Sequence, residues 1–361
     1  MFSYFLFLLR KISNKIFKDI FIVWSMQNEI TESTEFLNPD GTLRISGWAR
    51  KDVFQYDRRK TSLNPWRIKE WDFWEITNPN YRVIFNIFDI GLFGVANFLL
   101  HDFRTGKRYE RDLVQLFTKG KVGLPNSWRY EKPMVFQKGT ESMEFSRQEN
   151  FIILKVNYKS IKGEIRLKML ENTDLIANVI PFKNPRHFVY AQKLNCLIPQ
   201  GSVHVNGIEY EFSERTESYG VLDWTRAAFP YSNYWKWWSA SGKVNNNYFG
   251  FNLDYGFGSE SSKSMIFLDD GGHHLDEIEY ELDSKNLKKQ VEIKSNNERV
   301  NLTLTPAYTL KEGVNLGLLK MKGLKVYGFF KGVVILDSGE PFEIKEEDRL
   351  FGWAESFSQR W

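Results

Sequence analysis

Apolar and polar residues alternate with a period of two along most of the chain, and short Gly, Asn, Asp and Ser clusters interrupt the alternation. That pattern predicts antiparallel strands joined by tight turns. Segment 203–212, VHVNGIEYEF, is the clearest instance. Val203 and Val205 share a face, Asn206-Gly207 supplies the positive φ angles of a two-residue turn, and Ile208, Tyr210 and Phe212 share a face on return. Segment 151–170 predicts a second hairpin turning near Lys162-Gly163, and 325–344 a third turning at Asp337-Ser338-Gly339. Segment 82–113 adds two long strands with a turn at Thr105-Gly106. No helical pattern of the length a parallel sheet requires separates these runs. The predicted fold class is therefore all-β and antiparallel, with barrels or sandwiches that pair their edges away. Pro199 and Gly201 punctuate the chain midway, dividing a β domain at 27–200 from a second at 201–361.

The first 26 residues follow another pattern. Leu9, Ile12, Ile16, Ile20 and Val23 fall on one side of a helical wheel and Lys11, Lys15 and Lys18 on the other, predicting a short amphipathic helix. Its uninterrupted apolar run, Tyr4 to Leu9, is far short of the ~20 residues that span a bilayer. Its charge follows that run, the reverse of a signal peptide. Two readings stand: peripheral membrane contact through residues 1–25, or an extension upstream of Met26.

Composition narrows the function classes. The chain has 49 Lys and Arg against 45 Asp and Glu, but Arg10, Lys11, Lys15 and Lys18 against Asp19 account for most of the excess, leaving 45 against 44 in the body. A body so balanced lacks the clustered positive charge that phosphate neutralisation requires, so nucleic acid is not an expected partner. Cys196, the single cysteine, excludes an intrachain disulfide and a multi-cysteine metal site, and reads as a small buried hydrophobe in a cytoplasmic protein. His273 and His274 follow Asp-Asp-Gly-Gly in an apparent turn and read as solvent-facing. No metal or cofactor is expected.

The strongest chemical signal is DWTRAAFPYSNYWKWWSASG, residues 223–242, with four of the twelve tryptophans. Asp223 and Arg226 are three apart, so they face opposite ways on a strand but approach one another at a bend. One reading is an Asp-Arg ion pair latching a loop. The other makes Asp223 a proton donor in an aromatic pocket oriented by Arg226. If 231–238 is extended, Tyr231, Asn233, Trp235 and Trp237 line one face and Tyr234, Lys236 and Trp238 the other. Trp224, Tyr231, Trp235, Trp237 and Asn252 are the candidate ligand-binding residues. Glu355 is the candidate outside acid, its bland alternative being a salt bridge with Arg360.

With these residues in view, the chain resembles the domain-of-unknown-function family 2804. The resemblance rests on GWARKDVFQY at 47–56, DWTRAAFPY at 223–231, WKWWSASG at 235–242, GFNLDYGFG at 250–258 and GWAESFSQRW at 352–361. It covers about Asn28 to the end. Thr225 and Ala227 stand where the family pattern has glycines beside the arginine. The family is similar in strand pattern to two-domain lipocalin-like proteins, among them carotenoid hydratases and pericyclic cyclases, and this implies two lipocalin-like domains and an apolar small-molecule partner. Two functions follow as expectations. The first is a module that holds a lipid or isoprenoid-like molecule in a barrel or inter-domain pocket. The second is a cofactor-free hydratase, isomerase or cyclase with Asp223 as general acid and tryptophans stabilising a cation.

Overall fold

The computed structural model describes residues 28–256, 264–280, 282, 286–317 and 319–360. The expected N-terminal helix lies outside them. The described residues form an all-β, antiparallel architecture of two large sheets, as the alternation predicts. The first sheet runs from Lys107–Leu116 through Phe93–Asp102, Tyr81–Asp89, Ile68–Thr77, Tyr219–Ala228 and Phe188–Val205 to the hairpins ending at Met134–Lys138. Its two edges approach one another, with Arg111 2.7 Å from Glu141 and Lys138 Nζ donating to the Val114 carbonyl at 3.2 Å, so the sheet is nearly a closed barrel. The second sheet is an open half-barrel with Ser232–Val244, Phe351–Arg360, Leu319–Ile335 and Val300–Leu316 at its centre.

The predicted hairpins form with adjustments. Asn206 and Gly207 take φ of 51° and 83° and close the first hairpin as expected. The second turns at Lys159-Ser160, not at Lys162-Gly163. Gly163 lies inside the strand, where a Cβ would sit 2.4 Å from the Ser202 carbonyl oxygen, so its missing side chain serves a close backbone approach. The predicted long strand from Arg82 is two strands, Tyr81–Asp89 and Phe93–Asp102, folded at Gly91.

The position expected to divide the chain, residue 200, lies within the single strand Phe188–Val205. Chain passes from one sheet to the other at Phe229-Pro230-Tyr231, where proline ends the pairing. The sequence signal at Pro199-Gly201 marks another feature, the second half of a strand that changes partners. Between Leu194 and Leu197 the register with Tyr219–Ala228 shifts, and Cys196 at the shift has φ of 58°. This bulge bends the strand, so its first half pairs with Ile176–Pro181 and Tyr219–Ala228 and its second half with Ile161–Lys168 and Ile208–Phe212.

The first barrel is filled, not hollow. Trp224 is fully buried inside it against Tyr190 and Tyr56, with ring centroids 5.1 and 6.4 Å away, and Phe36 packs on the same rings. A separate aromatic layer joins the two sheets, with Phe73 and Phe103 of the first meeting Trp237, Tyr327 and Trp353 of the second.

Candidate functional site

Strand alternation decides what the residues of 223–228 do. The strand Tyr219–Ala228 is regular, so Asp223 and Thr225 point at the second sheet while Trp224 and Arg226 point into the first barrel. The Asp223–Arg226 ion pair does not form. Arg226 instead lies 2.8 Å from Asp72, donates to the carbonyls of Trp71, Thr225 and Pro125, and sits 4.0 Å from the Trp224 ring. Asp223 pairs with Lys193, the residue directly opposite on the neighbouring strand, at 2.8 Å, and accepts from the Thr225 hydroxyl at 2.9 Å.

Asp223 and Lys193 border a larger charged cluster between the sheets. Glu75, fully buried, accepts from Lys325 Nζ at 2.7 Å and from the Tyr327 hydroxyl at 2.6 Å, with Arg82 3.5 Å away. Arg82 also donates to the Tyr327 oxygen and, at 3.0 Å, to Glu312. Glu355 lies on the other side of Lys325, 3.3 Å from its ammonium, and accepts from the Trp235 indole N–H at 2.9 Å. Aromatic rings enclose both lysines: Lys193 lies 3.9 Å from the Trp237 centroid and Lys325 4.3 Å from that of Trp353. Such faces stabilise cations that have left water.

The two glutamates respond oppositely to burial. For Glu75, burial favours the neutral form, but Lys325 and Arg82 outweigh it and hold the carboxyl below the ordinary range. For Glu355, burial dominates, and Lys325 and the Trp235 hydrogen bond offset it only in part, while the Glu75 charge adds to it, so its pKa is raised. Burial raises the Tyr327 hydroxyl well above its usual value. One carboxyl is thus biased towards carrying a proton beside a second biased against it, with Lys325 bridging them. Such divergence is the arrangement that acid–base sites use.

Of the residues singled out from sequence, Asp223, Trp235, Trp237, Asn252 and Glu355 belong to this inter-sheet region. Trp237 donates its indole N–H to Asn252 Oδ1 at 2.6 Å and meets Trp353 edge-on at 5.2 Å. Trp224 and Arg226 are inside the barrel instead, and Tyr231 is half-exposed at the crossover. Glu355 pairs with Lys325, not Arg360. Sequence reasoning missed Glu75, Arg82, Lys193, Lys325 and Tyr327. A signal existed for Glu75 and Lys325, each of which stands between apolar neighbours on its strand, as in WDFWEIT and LKVY; Lys193, between Gln192 and Leu194, gave none.

A small apolar cluster adjoins the Glu355 partner Trp235. Trp235, Trp71 and Phe182 pack against this cluster, which contains Phe229, and the Trp71 and Phe229 rings stack at 5.9 Å. Phe182 with Lys183, Asn184, His187 and Pro230 lines a surface cavity of about 410 Å³. Fold and cluster together define the class: an all-β, two-sheet protein with a buried charged cluster where its sheets meet.

The chain belongs to the family described as a domain of unknown function, DUF2804, whose pattern matches residues 27–361. No curated relative matches the sequence. Among solved structures, kievitone hydratase from Nectria haematococca is similar at 12% identity and a TM-score of 0.50, over 81% of this chain and 88% of its own. CghA is similar at 10% identity and a TM-score of 0.46, over 93% of this chain and 96% of its own. At 12% identity the likeness to kievitone hydratase describes the fold alone. No helix among the described residues is long and apolar enough to cross a membrane.

Proposed function

We propose that the protein binds an apolar small molecule where its two sheets meet and transfers a proton to it from Glu355. The observation that supports this is the Glu355 carboxyl itself, buried, raised in pKa, and anchored by Trp235 beside a caged lysine. A structural ion pair alone needs no carboxyl held towards its neutral form. In a hydration, the Glu355 proton adds to one alkene carbon, water adds to the other, and the proton that water releases returns to the Glu355 carboxylate. Trp235 and Trp237 would face the positive charge that develops. Asp223 then has a different role from the general acid expected of it. Its charge is matched by Lys193, so it positions that lysine against Trp237.

A second reading, carriage without conversion, is favoured by the close pairing of the cluster, where each carboxylate has a cation within 3.5 Å. Incubation with an isoprenoid- and lipid-rich extract, followed by mass spectrometry of retained molecules, separates the two. The expected result is a retained apolar molecule and its product with wild type, and the same molecule unconverted with Glu355→Gln. Retention without conversion by both proteins favours carriage. Absence of any retained apolar molecule overturns both readings.

A further inference from the structure

One end of the first barrel carries apolar side chains in water. Leu92 is 37% exposed, Leu116 64% and Phe117 62%. They project from the adjoining turns 89–93 and 116–124, and a third segment, 57–67, completes the surface. Trp66 of that segment meets Phe117 edge-on at 6.3 Å, and its backbone lies against Gly91, where a Cβ would be 2.7 Å from the Trp66 Cα.

The projection is built. Asp89, buried beneath it, accepts from the Gly91 N–H at 2.7 Å, from the Thr118 hydroxyl at 2.7 Å and from the Val122 N–H at 3.3 Å. Phe117 N–H donates to the Leu92 carbonyl at 2.5 Å. This anchoring buries Thr118 and forces both neighbours, Phe117 and Lys119, into the left-handed region, at φ of 56° and 52°. A bulky aromatic residue adopts that region only at a cost. The fold thus places the polar Thr118 inside and the phenyl ring outside.

Charge surrounds these apolar groups. Segment 57–67 contributes Arg58, Arg59, Lys60 and Arg67, and segment 116–124 Lys119 and Lys121. Segment 182–187, at the same end of the barrel because Phe188, Ala228 and Ile68 are in register, adds Lys183 and Arg186. Against these eight stand Asp57, the buried Asp89, Asp40 beside Arg186, and Glu35 and Glu70, which reach in to pair with Lys60 and Arg58. Basic residues therefore stay in excess at this one end, whereas the whole body is nearly balanced.

We propose that this barrel end is a docking surface for an anionic lipid membrane, with Leu92, Leu116 and Phe117 entering the interface and the basic ring facing the headgroups. The surface is independent of the chemistry proposed for Glu355. It does place the cavity beside Phe182 and Pro230 at the membrane-facing end.

Flotation of the full chain with vesicles of phosphatidylcholine alone, or with phosphatidylserine added, tests the proposal. Wild type should float with the anionic vesicles and not with the neutral ones. Leu92→Glu with Phe117→Glu should abolish flotation, and Lys119→Glu with Lys121→Glu should weaken it roughly tenfold or more. All four positions are exposed, and an unchanged Tm verifies folding. Three results would overturn the proposal: no flotation by wild type, equal binding to neutral vesicles, or undiminished binding by both variants, which would locate membrane contact elsewhere, as in residues 1–25. A monomer–dimer shift in the variants without a change in flotation would assign the patch to a second copy of the chain and overturn it as well.

Discussion

The surroundings of Glu355 disagree about its proton. Burial, the largest influence, and Glu75 favour the neutral acid, whereas Lys325, the Trp235 hydrogen bond and Lys193 favour the carboxylate, and the first pair prevails. A carboxyl whose folded pKa lies above its ordinary 4.5 stabilises the protein most below that value and loses its contribution as pH rises through the folded pKa. Glu355→Gln should therefore gain stability relative to wild type as pH rises from 4.5, by about 1.4 kcal/mol for each unit of upward displacement. Urea midpoints of both proteins between pH 4 and pH 8 measure this, and parallel curves would show that burial does not bias Glu355. The acid was readable as a candidate from the sequence, but its partner was not. Lys325 precedes Glu355 by thirty positions, and only the pairing of Leu319–Ile335 with Phe351–Arg360 places them opposite each other. Conversely, Asp223 and Arg226 look like partners in sequence and are separated by the thickness of a sheet. Strand alternation allowed that outcome, and the apparent bend at Pro230 concealed it, because the strand persists to Ala228.

Among elements, the strand Phe188–Val205 has the most unusual construction. Its bulge turns Asn195 towards the second sheet, where the side-chain amide lies 2.9 Å from Ser239 Oγ and 3.1 and 3.2 Å from the carbonyls of Phe251 and Ala240, while the Cys196 N–H donates to Ser241 Oγ at 3.1 Å. These bonds satisfy backbone groups in a dry interface, where an unmade hydrogen bond costs far more than a made one contributes. Asn195→Ala should lower stability by roughly 2–3 kcal/mol without changing the m-value. A loss below ~0.5 kcal/mol would mean that the amide is not holding the sheets together. Beside it Cys196 is buried as its apolar sequence context indicated, and burial pushes its thiol up to about 12. The strands themselves were legible because their faces alternate in polarity. This bulge was not, because a single Asn195 within a long strand does not announce a turn, and the residue that takes the left-handed φ is Cys196, at the point where the second sheet hydrogen-bonds the strand. The misplaced hairpin turn has the same origin: Gly163 is a glycine required by a neighbouring strand, not by a turn.

Two of the sheet-to-sheet junctions among the described residues differ in what acid does to them. At the first, aromatic rings and the Glu75–Lys325 pair hold the sheets together. At the second, Trp48 of the first sheet stacks on His274 of the second, with ring centroids 3.9 Å apart and planes 7° from parallel. Arg50 lies 5.0 Å from the same Trp48 ring and 3.3 Å from Asp337, which also pairs with Arg299 and lies 3.6 Å from His273. The reading of His273 and His274 as solvent-facing loop residues fails for both: they lie on the strand Gly271–His274, His273 partly buried and accepting from the Asp337 N–H, and His274 under this stack. Burial first, and then the Arg50 charge, push the His274 imidazole down to about 4 from its usual 6.5. A group with a depressed folded pKa stabilises the protein above its unfolded value and loses that contribution as pH falls through the folded one. Acidification from 6.5 towards 4 should therefore weaken this junction, by on the order of 3 kcal/mol. His274→Phe keeps a flat ring against Trp48 and removes the titration. Its stability should fall less steeply than that of wild type across this window, when both are followed by urea unfolding. His101, also pushed down to about 4 by burial, titrates equally in both proteins and cancels in the comparison. If His274→Phe and wild type lose stability in parallel, the acid sensitivity resides in other groups and the stack carries no charge penalty.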